Sequence, residues 1–435
     1  MLLESSIYET RVSYIEITEE CSPLRTLDHD RLWRRLMDLG AISDAGEGTS
    51  RTSFGDAFQA GREFLAEEFR DAGLRVFVDH AGNLHGRLDG RRAETLLIGG
   101  HSDTVPNGGR FDGALGVLSA LDIAQTIGES GNQPEYSIEV IDFLAEEPSA
   151  FGLSCIGSRG FAGRLTPVDL ERRDPGGERL GDALRRVGGD PSQLGPVDPE
   201  RDFLGFLELH IEQGPVLAER SASLGVVTDI AGIVRYRFRV EGAAAHAGTT
   251  PMAKRRDALV AAGRFASNIY ESVAGVQGLV GTVGQFAVFP NAANVVPGRV
   301  EGVAEFRSAS RDLPNSASAI MTAALPERDA LGCAFSFEEY MRTEPVGMSP
   351  RLQTVIRKSI ERSGATSVAL FSGAGHDAVE VSRRAEVGMM FCPCRDGISH
   401  SPAEWVEPGD VARALAAYRL AVLSLVSADD VEREE

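Results

Sequence analysis

The sequence predicts an α/β protein whose main sheet is interrupted by a smaller, inserted α+β domain. Three observations carry this expectation. Short apolar runs bounded by glycine alternate with amphipathic stretches over most of the chain, the pattern of a sheet flanked by helices. Residues 233–240 (IVRYRFRV) instead alternate strictly, as a half-exposed antiparallel strand does. Around that strand, a β-α-β-β-α-β order over roughly residues 226–342 reads as a ferredoxin-like open sandwich. The expected domains are therefore a main one built from 1–225 and 343–435, and an inserted one over 226–342.

Composition narrows the class. A chain of 435 residues has room for two or three domains with sizeable cores. Its 43% hydrophobic and 25% charged content is that of a soluble globular protein. A net charge of −20 argues against nucleic acid or an anionic membrane as partner. No apolar stretch reaches the roughly 20 residues of a membrane span. The first residues, MLLESSIYETRVSYIEITEE, are acidic and mixed, unlike a signal peptide. Five scattered cysteines do not form a disulfide framework, so a cytoplasmic location is expected. Cys392-Pro393-Cys394 reads as a strand with two half-buried thiols rather than a metal site.

Each element has its local reason. Residues 1–25 read as a loosely held arm. A helix is expected over 27–39, where Leu32, Trp33, Leu36 and Leu39 recur at helical spacing, and another over 57–72, which Gly73 ends. Strands follow at 74–79 and 84–88 around the Gly82-Asn83 turn. The central strand is Leu96-Leu97-Ile98, and a helix patterned by Ala114, Leu115, Val117, Leu118 and Leu121 succeeds it. Strands at 137–144 and 206–211 flank a polar, Gly/Pro-rich surface excursion over 166–200, with a short helix at 181–187. The inserted domain comprises strands at 233–240, 279–288, 299–307 and 333–340 and helices at 257–273 and 314–325. The chain returns through helices at 349–363, 374–382 and 408–426 and strands at 368–370 and 388–392, before a frayed acidic tail.

The chemistry is concentrated in TLLIGGHSDTVPNGGRFDGALGV, residues 95–117. His101 and Asp103 leave the carboxyl end of the central strand, and Asp112 follows a Gly-rich loop; ligands gather at that edge of an α/β sheet. Imidazole and carboxylate suit a borderline divalent metal. Asp103 is placed to hold the other ring nitrogen of His101, and the two oxygens of Asp112 are able to bridge two ions. The competing reading is a strand-end histidine bonded to a loop, with Asp112 as a helix N-cap. Glu146-Glu147 stands at another strand end. Adjacent carboxylates repel unless a cation or proton separates them, so one suits a metal and the other a proton; a solvated acidic loop is the alternative. His210 and His400 each follow an apolar run, as strand-end ligands do.

Together these residues resemble the hydantoinase/carbamoylase amidase family, part of the two-metal aminoacylase and carboxypeptidase group. The motifs GHSDTVPNGGRFDGALGV, AEE, LELHIEQGPVL, HAGTTPM, PNAANVVPG, SGAGHDA and GISHSP carry the resemblance, from about residue 27 to 425. It implies a metallopeptidase-like catalytic domain with a mixed central sheet flanked by helices, and an inserted domain serving as lid and dimerisation surface. It implies two divalent metal ions per subunit (Zn, or Mn, Co or Ni), one held by His101, Asp112 and His210, the other by Asp112, Glu147 and His400. Glu146 would be the general base and Asp103 the residue that orients His101. His246 would stabilise the oxyanion, often in the partner subunit of a homodimer, against the plain reading of a surface-loop histidine. Asn294 and Arg307 would bind the substrate's carboxylate, and Gln213 its polar head; a salt bridge to Glu305 is the alternative for Arg307.

Three departures bear on the substrate. The family's usual Gly-Ser-Arg-Phe is Pro148-Ser149-Ala150-Phe151 here, Asp396 stands where a glycine is common, and Glu305 precedes Phe306-Arg307 in place of aspartate. The expected activity is metal-dependent cleavage of a carbamoyl or ureido C–N bond beside a carboxylate. N-carbamoyl-L-amino acids rank first, allantoate-type ureides second, and aminoacylase or dipeptidase substrates third. A catalytically silent binding protein of the same fold is the contrasting possibility.

Overall fold

A computed structural model describes residues 29–326 and 331–427. The expected N-terminal arm and the acidic tail lie outside these residues.

The chain opens with helix α1 (His29–Ala41), whose Leu32, Leu36 and Leu39 are buried, and α2 (Asp56–Asp71), which buries Phe58, Leu65 and Phe69. Strands β1 (Arg75–Val78) and β2 (Leu84–Leu88) form a hairpin. Strand β3 (Arg92–His101) is longer than the apolar run that foretold it, and leads to α3 (Ala114–Glu129). Then come β4 (Tyr136–Phe143), the short helices α4 (Ile156–Phe161), α5 (Pro167–Leu170) and α6 (Leu180–Arg186), and β5 (Phe203–Ile211). The polar excursion is more than surface: Leu180 and Leu184 of α6 are buried in a cluster with Phe54 and Phe151. Helix α7 (Val216–Glu219) precedes β6 (Leu224–Ile230).

A second sheet begins at β7 (Gly232–Glu241). It is followed by the two-residue β8 (Ala245–His246), α8 (Ala258–Ala274), β9 (Leu279–Phe289), the two-residue β10 (Val295–Val296), β11 (Arg299–Ser308), α9 (Leu313–Ala323) and β12 (Ala334–Thr343). The chain rejoins the first sheet at β13 (Val346–Gly347). It ends with α10 (Pro350–Arg362), β14 (Ser367–Ser372), α11 (Ala378–Val381), β15 (Val387–Cys392) and α12 (Pro408–Val426).

The main sheet is mixed, in the order β1-β2-β4-β3-β5-β15-β6-β13, with β14 beside β6. Its four central neighbours, β4, β3, β5 and β15, run parallel, so their carboxyl ends share one edge. Helices α1, α3, α10 and α12 contribute to the core on one face; Phe143, Phe161, Phe206 and Val381 belong to a separate cluster. Burial on both faces is why Leu96, Leu97 and Ile98 read as a continuous apolar run. The second sheet is wholly antiparallel in the order β12-β7-β11-β9. Val234, Tyr236, Phe238 and Val240 of β7 point into a core with α8 and α9, while Arg235, Arg237 and Arg239 alternate outward.

The structure corrects three local expectations. Strand β6 was not foreseen; it pairs in parallel with β14 inside the main sheet, so the chain changes sheets between Ile230 and Gly232 rather than at 226. The helix expected over 374–382 shrinks to α11, because the Ser372 hydroxyl accepts from the Ala374 amide and bonds His376, holding those residues in a turn. Cys392 and Cys394 are both buried, not half-buried, and Cys394 lies beyond the strand.

One buried ionic cluster sits away from the strand ends. His85 on β2 places Nδ1 2.8 Å from Glu139 and Nε2 3.0 Å from Asp79, with the Phe77 ring stacked on it. Arg87 and Arg201 also bond Glu139. Burial opposes the imidazolium, but the bonds and charges of Asp79 and Glu139 push His85 up to about 9. This stabilisation is complete below the ordinary histidine pKa and is lost as pH rises through about 9. His85→Gln is expected to cost about 3–5 kcal/mol near pH 6, the range for breaking a buried ion pair. Urea unfolding at pH 6 and pH 9.5 checks this: the gap between wild type and variant should narrow at the higher pH.

Candidate metal centre

The four parallel strands deliver the polar groups. Strand β3 ends in His101, β5 carries His210 one residue before its end, β4 runs on to Glu146 and Glu147, and the turn after β15 brings His400. Asp112 enters from the loop before α3. Gly113 follows it at φ +64°, and a Cβ there would lie 2.5 Å from the His101 ring, so only glycine fits the approach. The structure brings all five expected metal ligands together.

Asp112 lies at the middle. Its Oδ1 is 3.1 Å from His210 Nε2 and 3.9 Å from His101 Nε2. Its Oδ2 is 3.1 Å from His400 Nε2, which is also 3.1 Å from Glu147 Oε1. One carboxylate therefore turns a separate oxygen toward each imidazole group. His101 donates from Nδ1 to the Asp103 carbonyl at 3.1 Å, and His210 donates from Nδ1 to the Ile211 carbonyl at 2.9 Å. Both tautomers then leave Nε2 as a lone-pair donor toward Asp112. His210 Nε2 is buried with no hydrogen bond.

Ligand atoms of His101, Asp112 and His210 lie within 4.8 Å of one another, as do those of Asp112, Glu147 and His400. Neutral imidazole and carboxylate around an unpartnered buried nitrogen fit a divalent ion of the zinc or manganese kind. Hydrogen bonds to Asp112 and Glu147 push His400 up to about 10. Burial acts against the charged form of His101, but Asp103, Glu146 and Asp112 hold it well above the usual range.

The bond that holds His101 Nδ1 comes from the Asp103 carbonyl, not from its carboxylate as the sequence suggested, and the carboxylate has other partners. That carboxylate is 3.5 Å from His101 Nδ1, and its oxygens accept from the backbone N–H groups of Glu146 and Glu147, at 3.1 and 3.2 Å. The glutamate pair is thereby fixed beside the histidine. Glu146 Oε2 is 3.9 Å from His101 Nε2. Burial, with the nearby charges of Glu147, Asp377 and Asp103, raises the Glu146 carboxyl well above the usual range despite His101. Gln213, held at φ +58°, donates to Asp112 Oδ2 at 2.9 Å and keeps a buried, unpartnered Oε1.

The other expected residues stand elsewhere, Arg307 on β11 of the second sheet and His246 and Asn294 on or beside the separate two-stranded β8–β10 pair. His246 is exposed on β8, and Nδ1 accepts from the Gly248 and Thr249 amides at 3.0 and 3.2 Å, so its proton is on the outward Nε2. The pairing of Val295 with His246 sets Asn294 beside it. Arg307 bonds Glu305 at 2.7 Å and reaches the main sheet by donating to the Gly373 carbonyl at 2.8 Å. It is thus salt-bridged in this conformation.

Four buried groups near the centre had no role in the sequence reading. Glu208 shares a face of β5 with His210, has neither oxygen hydrogen-bonded, and is pushed up to about 7 by burial. His376 packs its ring 4.6 Å from that of His210; with Glu208 and His210 it forms a third grouping of ligand atoms. Asp377 accepts from Ser158 at 2.6 Å, and Glu404 binds the Asp112 loop. The two-residue spacing of Glu208 and His210, and the SGAGHDA motif that contains His376 and Asp377, were the signals available in the sequence.

A mixed α/β sheet that ends in clustered imidazoles and carboxylates defines a class, the metal-dependent hydrolases. Within it the chain belongs to peptidase family M20/M25/M40, whose sequence profile matches residues 97–424. It is 38% identical over 388 residues to an N-carbamoyl-L-amino acid amidohydrolase of Geobacillus stearothermophilus, spanning 88% of this chain and 95% of that one. It is 34% identical over 426 residues to a probable allantoate deiminase of Oryza sativa subsp. japonica, spanning 89% and 86%. A hydantoinase/carbamoylase family amidase from Burkholderia multivorans superposes with a TM-score of 0.85 at 34% identity, over 92% of this chain and 98% of that one. The resemblance read from the motifs is borne out. Among the described residues, no helix is long and apolar enough to cross a membrane.

Proposed function

We propose that this chain is a two-metal amidohydrolase that cleaves the carbamoyl C–N bond of an N-carbamoyl-L-amino acid. The observation that carries the reading is Asp112, whose two oxygens face two separate histidine-containing groups. When bound, divalent ions supply Lewis acidity that activates water and polarises the carbonyl. Glu146 takes the proton from the attacking water and hands it to the leaving nitrogen. Asp103 keeps Glu146, Glu147 and His101 in register. Nε2–H of His246 is the right tautomer to donate to an oxyanion. Arg307 and Asn294 grip the substrate's carboxylate, Arg307 by exchanging Glu305 for it. The unpartnered Oε1 of Gln213 suits the N–H of a carbamoyl group, a donor that an acetyl group lacks.

His246 belongs to the site of a partner subunit in this reading. Strand β9 is an open edge of the second sheet, and α8 exposes Leu259, Val260 and Tyr270 near it. A homodimer through this surface covers both; a monomeric mass in solution would remove the cross-subunit role of His246.

An allantoate-type ureide is the second reading, favoured by the similarity to allantoate deiminases. A panel of N-carbamoyl-L-amino acids, allantoate, ureidoglycolate, N-acetyl amino acids and dipeptides separates the readings. The highest kcat/KM is expected on the carbamoyl group, with ammonia released; preference for acetyl or peptide substrates overturns the assignment.

A further inference from the structure

We infer that Glu404 is a positioning residue that couples the Asp112 loop to the His400 turn and so sets how tightly the Asp112–Glu147–His400 group holds its ion. This rests on the two-metal reading above. Glu404 is 3% exposed, and each hydrogen bond of its side chain leads to the centre. Its Oε1 accepts from the backbone N–H groups of Phe111 and Asp112 at 2.9 and 3.1 Å. Its Oε2 accepts from the Ser399 hydroxyl at 2.8 Å. That hydroxyl is also 3.2 Å from Asp112 Oδ2, and the next residue is His400, at φ +54°.

One carboxylate thus binds two loops separated by 287 positions. The first loop is the Gly-rich run before α3, and the second is a turn with Gly397 and His400 at positive φ. The surroundings are shaped for Glu404. A Cβ on Gly109 would fall 1.9 Å from its carboxyl carbon, so that glycine leaves the space Glu404 fills. Trp405 then packs edge-on against Phe111 and Trp33, with centroids 5.5 and 5.6 Å apart, pinning the segment to α1. Removing such an outer partner typically weakens a metal site 10–100-fold. The His101–Asp112–His210 group shares Asp112, but both of its histidines have their own anchors in the Asp103 and Ile211 carbonyls, whereas His400 sits on the turn that Glu404 ties down, so the first group should lose less.

The test is Zn²⁺ titration of the metal-free full-length protein, comparing wild type with Glu404→Ala, Glu404→Gln, Ser399→Ala and His400→Ala. His400→Ala identifies the phase that belongs to its group. Glu404→Ala is expected to weaken that phase about 10–100-fold and the other less than about 3-fold. Glu404→Gln keeps an acceptor for the two amides and should recover most of the affinity; Ser399→Ala should weaken the same phase. Equal weakening of both phases, or no change in either, overturns the inference. If Glu404→Ala does not fold, Ser399→Ala decides, and an unchanged His400 phase overturns it. A single Zn²⁺ per wild-type chain would instead refute the two-metal reading; if His400→Ala abolishes that phase, its response to Glu404→Ala still decides the inference, and if His400→Ala leaves it unchanged, the inference is overturned as well.

Discussion

Glu146→Gln is expected to lower turnover by about 10²–10⁴-fold, the usual contribution of a general base, with bound metal unchanged. The amide matches the carboxylate in shape and retains the backbone N–H that Asp103 accepts from. It lacks the ability to take a proton. The wild-type carboxyl is buried beside Glu147, and burial with the neighbouring carboxylates raises it well above the usual range. Steady-state rates with metal analysis of the same samples check this. A variant that retains full activity removes the general-base role. Loss of metal in place of turnover makes Glu146 a ligand. A silent binding protein would lose nothing at all.

The second large effect is expected at Asp112. It is the one residue shared by both metal groups, and each of its oxygens faces a different imidazole. Asp112→Ala should therefore weaken both sites by more than about 100-fold, beyond the cost typical of outer partners, and bring turnover to background. His400→Ala should empty only the group it shares with Glu147. Metal content after dialysis distinguishes them: two weakened sites in the first variant, one in the second. Asp112→Ala with one site intact would show that the two groups do not share a bridging carboxylate.

The parts of this centre that were legible in the sequence are those written into local pattern. His101, His210 and the glutamate pair follow apolar runs that became β3, β5 and β4, and parallel pairing of those runs was enough to bring their ends together. Glu404 had no such signal. It reaches Phe111 across 293 positions, an adjacency that only the packing of α1, α3 and α12 creates. His376 and Asp377 were visible within SGAGHDA, but not their place against His210, because a turn stabilised by Ser372 stands where helical spacing was expected. Strand β6 was missed because its buried first half has no alternation, and its glycine and its polar Thr228-Asp229 break the apolar run. His85 read as an ordinary strand residue because its two carboxylate partners come from a preceding strand end and a neighbouring strand. Arg307 shows the reverse case: its salt bridge with Glu305, two residues away on one strand face, was visible in the sequence and is present in the fold.

The central claim is that clustered imidazoles and carboxylates at one sheet edge hold the ions that drive amide hydrolysis. The most direct measurement is ammonia release from an N-carbamoyl-L-amino acid as metal-free protein is titrated with Zn²⁺ or Mn²⁺, with bound metal counted at each point. Activity is expected to be absent after chelation, to reappear with added metal, and to reach its plateau as the second equivalent binds. Full turnover in the chelated protein, or silence on every carbamoyl and ureido substrate with two ions bound, would contradict it.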